Sequence, residues 1–209
     1  MTAERVLTPV DRNKLDASDD SRFYRQPRLV QHVDDPFRDR LTGLYRESLP
    51  FGGSVLDLMS AHVSHLPEDV RFGRVLGHGM NAEELMANPR LDDFFTQDLN
   101  RESDLPLADD SLDAVTIAVS VQYLQHPEDV FAEVGRVLRS KGTLIVSFSN
   151  RCFPTKAIRA WRTASMDERA ELVKRYLRAT DRYESPSVIR ERPGTDPFYA
   201  VVAQRVNEH

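Results

Sequence analysis

The residues best suited to chemistry stand directly after short, β-branched runs of the chain. Such runs are typical of buried strands, and open parallel sheets bind their ligands outside the carboxyl ends of the strands. This rule selects one compact set of polar side chains. The set consists of Asp57, Ser60, His62, His78, Asn81, Asp98, Ser120, Gln122, Tyr123, Ser149 and Asn150.

The acids and histidines near these strand ends could bind a ligand or move a proton. For Asp98 the strand pattern favours a ligand contact over a helix cap, whereas Asp57 could equally order its own loop by accepting backbone N–H groups. Imidazole titrates near neutral pH, so His62 and His65 could accept a proton from a substrate. For His65, a hydrogen bond at the end of a short helix before Pro67 is the stronger interpretation.

Three other candidates have ordinary structural explanations. Asn81 stands three residues before Glu84, which is the spacing of a helix N-cap, although it could also reach a ribose. Tyr24 and Arg25 could close over a cofactor or simply pack in a lid. Cys152 would be a nucleophile only with a lowered pKa, and the sequence offers no partner that would lower it.

The composition excludes several classes of protein. A chain of 209 residues, 40% of them hydrophobic, can bury one substantial core, and a net charge of -5 argues against binding nucleic acid or anionic lipid. Cys152 is the single cysteine, which excludes an internal disulfide and a cysteine-based zinc cluster. No secretory signal and no apolar run of about 20 residues are found, so we expect a cytoplasmic protein that does not enter membranes.

Alternating strand and helix patterns predict an α/β fold. Five β-branched runs alternate with helical segments, as in a parallel sheet with crossover helices, and two later runs flank a Pro- and Gly-containing loop that predicts an antiparallel hairpin. The predicted strands span residues 54–58, 74–77, 94–97, 113–119, 143–149, 183–191 and 198–206.

Apolar spacing of three and four residues predicts the helices. Residues 27–49 show this pattern, with Pro36 dividing them into two helices, and Pro127 begins the most regular helix of the chain. We divide the chain into a flexible N-terminal arm at residues 1–21, a helical lid at 22–50 and a main domain at 51–209.

The segment Phe94 to Arg151, FFTQDLNRESDLPLADDSLDAVTIAVSVQYLQHPEDVFAEVGRVLRSKGTLIVSFSNR, resembles the third to fifth motifs of class I S-adenosylmethionine-dependent methyltransferases, in their type 11-like branch. The similarity covers roughly Phe51 to Arg205. It implies a Rossmann-like three-layer sandwich, whose seven-stranded, mostly parallel sheet ends in an antiparallel hairpin. It also implies S-adenosyl-L-methionine as the cofactor.

The resemblance also implies roles for individual residues. Asp98 would accept a hydrogen bond from the adenine amino group, Leu99 would flank the ring, and residues 120–123 would border the methyl donor. It assigns no catalytic residue and no metal ligand. The implied cofactor-binding residues are Asp57, Ser60, His78, Gly79, Met80, Asp98, Leu99, Ser120, Val121 and Gln122.

Two motifs depart from the family pattern. The segment SVLDLMSAHVSHLP at residues 54–67 lacks the usual Gly-x-Gly, whose glycines permit positive φ and a close approach to the ligand. In RVLGHGMNAEEL at residues 74–85, Gly79 stands where the family has an acid that binds the ribose hydroxyls. Each hydrogen bond lost with that acid is worth about 1.5–3 kcal/mol.

Two functions remain open on this basis. The first is methyl transfer from S-adenosylmethionine to a small-molecule acceptor by direct displacement, in which the protein mainly aligns the reactants. The second is a non-catalytic, methyltransferase-like binding or regulatory protein. A nicotinamide dehydrogenase would require Gly-x-Gly-x-x-Gly after the first strand and an acid after the second, and the sequence has neither. The oligomeric state is left unassigned.

Overall fold

A seven-stranded sheet forms the centre of the computed structural model, which describes residues 5–207. The strands follow the order β3-β2-β1-β4-β5-β7-β6 across the sheet. The strands are β1 Ser54–Asp57, β2 Arg74–Gly79, β3 Asp93–Thr96, β4 Leu112–Ala118, β5 Leu138–Phe148, β6 Ser187–Glu191 and β7 Phe198–Gln204.

The first five strands are parallel, and the last two are antiparallel. Strands β2 and β4 flank β1 in parallel, with Leu56 opposite Leu76 on one side and Val115 on the other. Strand β7 runs antiparallel to both β5 and β6. The predicted fold is therefore confirmed. The chain moves outward from β1 to β3 and then returns to place β4 beside β1, which creates a switch point where open sheets bind ligands.

Helices cover both faces of this sheet. The helices are α1 Asp20–Phe23, α2 Asp35–Ser48, α3 Ala82–Met86, α4 Pro127–Val137, α5 Arg159–Thr163 and α6 Met166–Arg178, with a 3-10 turn at Val121–Tyr123. One buried cluster packs α4 and α6 against the sheet, and the other packs Phe37, Leu41 and Tyr45 of α2 against the opposite face. None of the described helices combines the length and apolar character that crossing a bilayer requires.

The sequence predicts two helices within residues 27–49, and the prediction of the first one is wrong. Helix α2 begins only at Asp35, where Asp34 accepts a hydrogen bond from Phe37 N at 3.0 Å and Pro36 occupies the first turn. The stretch before it is irregular because its backbone groups pair outside the stretch. Arg28 N, for example, donates to the side chain of Glu84 at 2.6 Å.

The prediction of a short helix before Pro67 is also wrong, since the connection between β1 and β2 contains neither helix nor strand. Two side chains from the region after α3 bind the carbonyl groups that a helix would pair internally. Asn88 Nδ2 donates to Ala61 O at 2.9 Å, and Arg90 Nη2 donates to Pro67 O at 3.0 Å. The usual helix after the first strand of this fold is therefore replaced by an externally braced loop.

The N-terminal arm is irregular but contacts the main domain. Leu7 is buried, the guanidinium of Arg12 pairs with the buried carboxylate of Glu128 at 2.8 Å, and Asp16 pairs with the buried ammonium of Lys156 at 3.0 Å. Residues 1–4 of the predicted flexible arm lie outside the described residues. The division of the chain into arm, lid and main domain stays a prediction.

Candidate functional site

A cavity of about 290 Å³ lies at the carboxyl ends of the parallel strands. Its floor is formed by the residues that follow β1 to β5, and the irregular segment before α2 closes its other side. The volume is near the lower end of the range for small-molecule sites, which is about 300–1,000 Å³. The cavity therefore occupies the position that the strand-end rule predicts.

Eight of the ten predicted cofactor-binding residues line this cavity: Asp57, Ser60, His78, Gly79, Met80, Asp98, Leu99 and Ser120. Val121 and Gln122 do not line it. The 3-10 turn places Val121 in the hydrophobic core, and the Nε2 of Gln122 donates to Val119 O at 2.8 Å. Ser149 and Asn150 also lie outside the lining, whereas Tyr123 belongs to it. The cofactor roles of the eight lining residues stay predictions.

Asp57 is a buried carboxyl group at the end of β1. Its Oδ2 accepts a hydrogen bond from Ser60 Oγ, and its Oδ1 accepts one from Thr116 Oγ1 at 3.2 Å. Burial raises the pKa of Asp57 to about 6, against the effect of these hydrogen bonds. The donors to Asp57 in the described structure are side-chain hydroxyls rather than the expected backbone N–H groups, and the carboxyl group lies at the cavity wall.

The turn after β1 contains no glycine but adopts the conformation that glycine favours. Met59 has a φ of 59°, in the left-handed region. The turn is also tied to β2, because Ser60 N donates to the carbonyl of His78 at 2.6 Å. A long apolar side chain and a hydroxyl therefore line the cavity where the family pattern has glycines.

The imidazole of His78 connects three strand ends. Its Nδ1 accepts a hydrogen bond from Met59 N at 3.1 Å, and its Nε2 lies 3.2 Å from Gln97 O. Burial lowers the pKa of His78 to about 4, so the ring is neutral and Nε2 carries the donated proton. Both ring nitrogens are used within the protein, which makes His78 a positioning residue beside the cavity.

Gly79 occupies a crowded point, where any side chain would meet the turn after β1. A Cβ added there would lie 2.7 Å from the carbonyl oxygen of Ser60. An acidic side chain at this position would require the turn after β1 to move. Any acid that contacts a ribose must therefore come from another position of the chain.

Asn81 and Glu84 join the region after β2 to the segment that covers the cavity. The Oδ1 of Asn81 accepts hydrogen bonds from the backbone of Glu83 and Glu84, which confirms the predicted N-cap, and its Nδ2 donates to Tyr24 O at 2.9 Å. Glu84 lines the cavity and binds Arg28 N. Sequence reasoning used Glu84 only as evidence for the cap and missed this second position.

Asp98 begins the turn that follows β3. Its Oδ1 accepts a hydrogen bond from Asn100 N at 3.0 Å, and its Oδ2 lies 3.7 Å from Nε of Arg101. The side chain is mostly buried and lines the cavity, with Leu99 buried beside it. Because a carboxylate has several acceptor positions, ordering this turn leaves capacity for a ligand.

The end of β4 contains a strained residue and an unpaired hydroxyl. Val119 has a φ of 51°, which is rare for a β-branched residue and costs about 1–3 kcal/mol. Ser120 is 8% exposed and lines the cavity, and its Oγ is buried without a hydrogen-bond partner within residues 5–207. Buried polar atoms are normally paired, so this hydroxyl indicates a place for a ligand group.

Three histidines gather at another part of the cavity wall. His32, His62 and His65 all line the cavity, as does Arg28. Burial lowers the pKa of His32, with smaller effects from His62 and Arg28. Burial also lowers the pKa of His65 to about 4, with Arg38 and the other two histidines acting in the same direction. Sequence reasoning missed His32 and Arg28, because neither follows a strand.

The structure shows no arrangement of three or more His, Cys, Asp or Glu side chains that could hold a metal ion, within the part of the chain that it describes. The lining does fit a nucleoside with a charged sulfur centre. Asp98 and Glu84 provide carboxylate acceptors, and Ser120, whose hydroxyl is unpaired among the described residues, also lines the cavity.

Comparison with known proteins agrees with this geometry. Residues 61–146 match the family model of a methyltransferase domain, so the match starts within the turn that lacks glycine. No curated protein matches the chain.

Several solved structures share the fold. An S-adenosylmethionine-dependent methyltransferase from Mesorhizobium loti is 16% identical, with 78% of this chain and 96% of that chain covered and a TM-score of 0.53. The geranyl diphosphate C-methyltransferase of Streptomyces coelicolor A3(2) is 17% identical, with coverages of 80% and 79% and a TM-score of 0.53. A chain from the complex of the Haloferax volcanii Trm112 methyltransferase activator is 17% identical, with coverages of 84% and 96% and a TM-score of 0.57.

The fold and the family match agree with the resemblance seen in the sequence. The chain has the Rossmann-like fold of class I S-adenosylmethionine-dependent methyltransferases, and the resemblance predicted from its sequence is confirmed. These findings support S-adenosylmethionine as the cofactor.

Proposed function

We propose that this protein transfers a methyl group from S-adenosylmethionine to a small-molecule acceptor. The observation that carries the proposal is the cavity at the switch point between β1 and β4, with the unpaired hydroxyl of Ser120 in its wall. The cavity has the size of a small-molecule site, and it lies where open α/β sheets bind ligands.

The acids of the cavity are assigned to the adenosine part of the cofactor. Asp98 follows β3 and binds the adenine amino group. Glu84 takes the place of the acid that Gly79 excludes and accepts hydrogen bonds from the ribose. Because Glu84 also binds Arg28 N, occupation of the ribose site is coupled to the position of the covering segment.

The chain's part in the reaction is alignment and exclusion of water. The bound sulfonium supplies an activated methyl group and its own leaving group. Ser120 orients ligand atoms beside β4, and the segment with Tyr24 and Arg28 closes the cavity. Holding two reactants in line can supply several kcal/mol of the barrier without an acid or base.

A non-catalytic, methyltransferase-like binding protein is the second candidate. The turn after β1 favours it, because the side chains of Met59, Ser60 and His62 line the cavity in place of glycines. Gly79 adds to this case, since its contact with Ser60 excludes the usual ribose acid. The two candidates share a cofactor site and differ in turnover.

Isothermal titration with S-adenosylmethionine and S-adenosylhomocysteine tests both candidates. Methyl transfer requires binding of both ligands and formation of S-adenosylhomocysteine when an acceptor is added. Binding without turnover across a broad set of acceptors supports the non-catalytic candidate. If neither ligand binds at millimolar concentration, the proposed cofactor site is wrong.

A further inference from the structure

Two buried nitrogen atoms in the cavity wall have no partner. Nη1 of Arg28 and Nδ1 of His62 are buried, and neither has a hydrogen-bond partner among the residues that the structure describes. Both side chains line the cavity, and the other terminal nitrogen of Arg28 donates to Phe23 O at 2.9 Å. A guanidinium fixed on one side and unpaired on the other is suited to bind an anionic group.

The surroundings of these atoms are basic. The positive charge of Arg28 acts on His32, and that of Arg38 acts on His65. The acidic residues of the cavity lining pair with neither His32, His62 nor the guanidinium of Arg28 among the described residues. These acids are Asp20, Asp57, Glu84 and Asp98. The histidine end of the cavity therefore lacks a counter-charge of its own.

Aromatic rings stand next to the unpaired guanidinium. The guanidinium carbon of Arg28 lies 4.3 Å from the ring centre of Phe23 and 5.4 Å from that of Phe153. The ring of Phe153 stacks on that of Tyr123, with 6.0 Å between the ring centres. It also makes a T-shaped contact with the ring of His32, with 5.4 Å between the ring centres. An apolar or aromatic body could therefore lie beside the basic groups.

Phe153 lies apart from the proposed adenine site, while the backbone N of Arg28 binds Glu84, the proposed ribose acid. Phe153 follows β5, whereas Asp98 follows β3, and three strands lie between these two in the sheet. We propose that Arg28, His32 and His62 bind a carboxylate of the methyl acceptor, whose apolar or aromatic body packs against Phe153. This inference rests on the proposed methyltransferase function and names its substrate class.

Benzoate and benzamide form a matched pair of probes, because they share one shape and differ in charge. We expect benzoate to bind the S-adenosylhomocysteine complex at least about tenfold more tightly than benzamide, as measured by isothermal titration. Equal binding of the two probes, or no benzoate binding up to its solubility limit, overturns the proposal.

Variants of Arg28 and His62 locate the site. Arg28→Gln and His62→Gln should remove most of the preference for benzoate, and Arg28→Lys should retain part of it because the charge remains. The exposed Arg46 of α2, which pairs with Asp69, provides the control Arg46→Gln, which should leave the preference unchanged. Thermal unfolding of each variant shows whether it is folded. An unchanged preference in a folded Arg28→Gln protein overturns the proposal.

A second pair of probes separates the acceptor from the cofactor. 5′-Methylthioadenosine shares the nucleoside and sulfur of S-adenosylhomocysteine but lacks its amino acid. If Arg28→Gln weakens S-adenosylhomocysteine and leaves methylthioadenosine unchanged, Arg28 holds the carboxylate of the cofactor and our assignment is wrong. If wild type binds neither nucleoside, the proposed function fails, and benzoate binding to the free protein still tests the acid site.

Discussion

The backbone N–H of Met59 donates a hydrogen bond to Nδ1 of His78 at 3.1 Å. Through its Nε2, the same imidazole reaches the carbonyl of Gln97 after β3. The neutral ring of His78, which belongs to β2, thus connects the turn after β1 with the segment that follows β3. In the absence of glycines, this side chain fixes the shape of the turn that lines the cavity.

We expect His78→Leu to destabilise the protein by about 1–3 kcal/mol, because Met59 N and Gln97 O lose a buried partner. Affinity for S-adenosylhomocysteine should also fall, since the turn is no longer fixed. Urea unfolding at neutral pH measures the first effect, and titration measures the second. His126 is exposed, so His126→Leu is the control and should change the free energy of unfolding by less than about 0.5 kcal/mol. Equal stability of the two variants would contradict the positioning role.

Asp98→Ala should weaken S-adenosylhomocysteine binding about tenfold to a hundredfold, which corresponds to one charge-assisted hydrogen bond of about 1.5–3 kcal/mol. Alanine also removes the acceptor for Asn100 N, so the sharper variant is Asp98→Asn, whose side-chain oxygen can keep that contact. Asparagine still presents a weaker acceptor and a competing donor to the adenine amino group. Asp39 is exposed on α2, so Asp39→Asn should leave affinity unchanged. Unaltered binding by both Asp98 variants would show that the adenine lies elsewhere.

Gly79→Ala tests the contact that excludes an acid from the end of β2. The added Cβ would lie 2.7 Å from Ser60 O, so the turn after β1 must move. We expect a loss of about 1–3 kcal/mol in stability and weaker cofactor binding. Gly43 on α2 is the control, because an added Cβ has nothing within 4 Å there. Gly43→Ala should stabilise the helix by about 0.5–1 kcal/mol without affecting ligands. A Gly79→Ala protein with wild-type stability would show that the contact is not restrictive.

The fold was predictable because its main signals are local. The apolar stripe after Pro127 gives α4, the capping box of Ser165 and Glu168 gives α6, and β-branched runs give the buried strands. The errors fall in the two segments whose backbone groups bind distant side chains. Asn88 braces the connection after β1, and Glu84 holds the segment before α2, and no local pattern reveals such contacts.

The candidate site was predictable where it follows strands and unpredictable elsewhere. Asp57, Asp98 and Ser120 line the cavity because the strand-end rule depends only on the sheet. Gln122 lies outside the cavity lining, because it belongs to the 3-10 turn after β4 and its amide binds Val119 O. Arg28 reaches the cavity only because an irregular segment crosses it, which depends on tertiary contacts that sequence periodicity does not contain.

The buried carboxyl group of Asp57 should leave a measurable trace in the pH dependence of stability. Burial raises its pKa from 3.8 to about 6. Between these two pH values, Asp57 is protonated in the folded protein and ionised in the unfolded chain. The ionised Asp57 therefore lowers the stability of the folded protein by its full amount above about pH 6, and this effect disappears as the pH falls toward 4. A difference of about two pH units corresponds to about 3 kcal/mol.

Asp57→Asn removes this titration and keeps one of the two acceptor oxygens, while its amide NH2 can donate to the other hydroxyl of the Ser60 and Thr116 pair. The free energy of unfolding of the variant minus that of wild type should therefore be larger at about pH 8 than at about pH 4, by up to about 3 kcal/mol. His65 and His78 also titrate in this range, but they are present in both proteins and cancel in the comparison. Urea unfolding at a series of pH values measures this difference. Asp39 is exposed, so the difference between Asp39→Asn and wild type should not change with pH. If the difference for Asp57→Asn is flat as well, Asp57 is charged at low cost, and some group other than those seen around it stabilises its carboxylate.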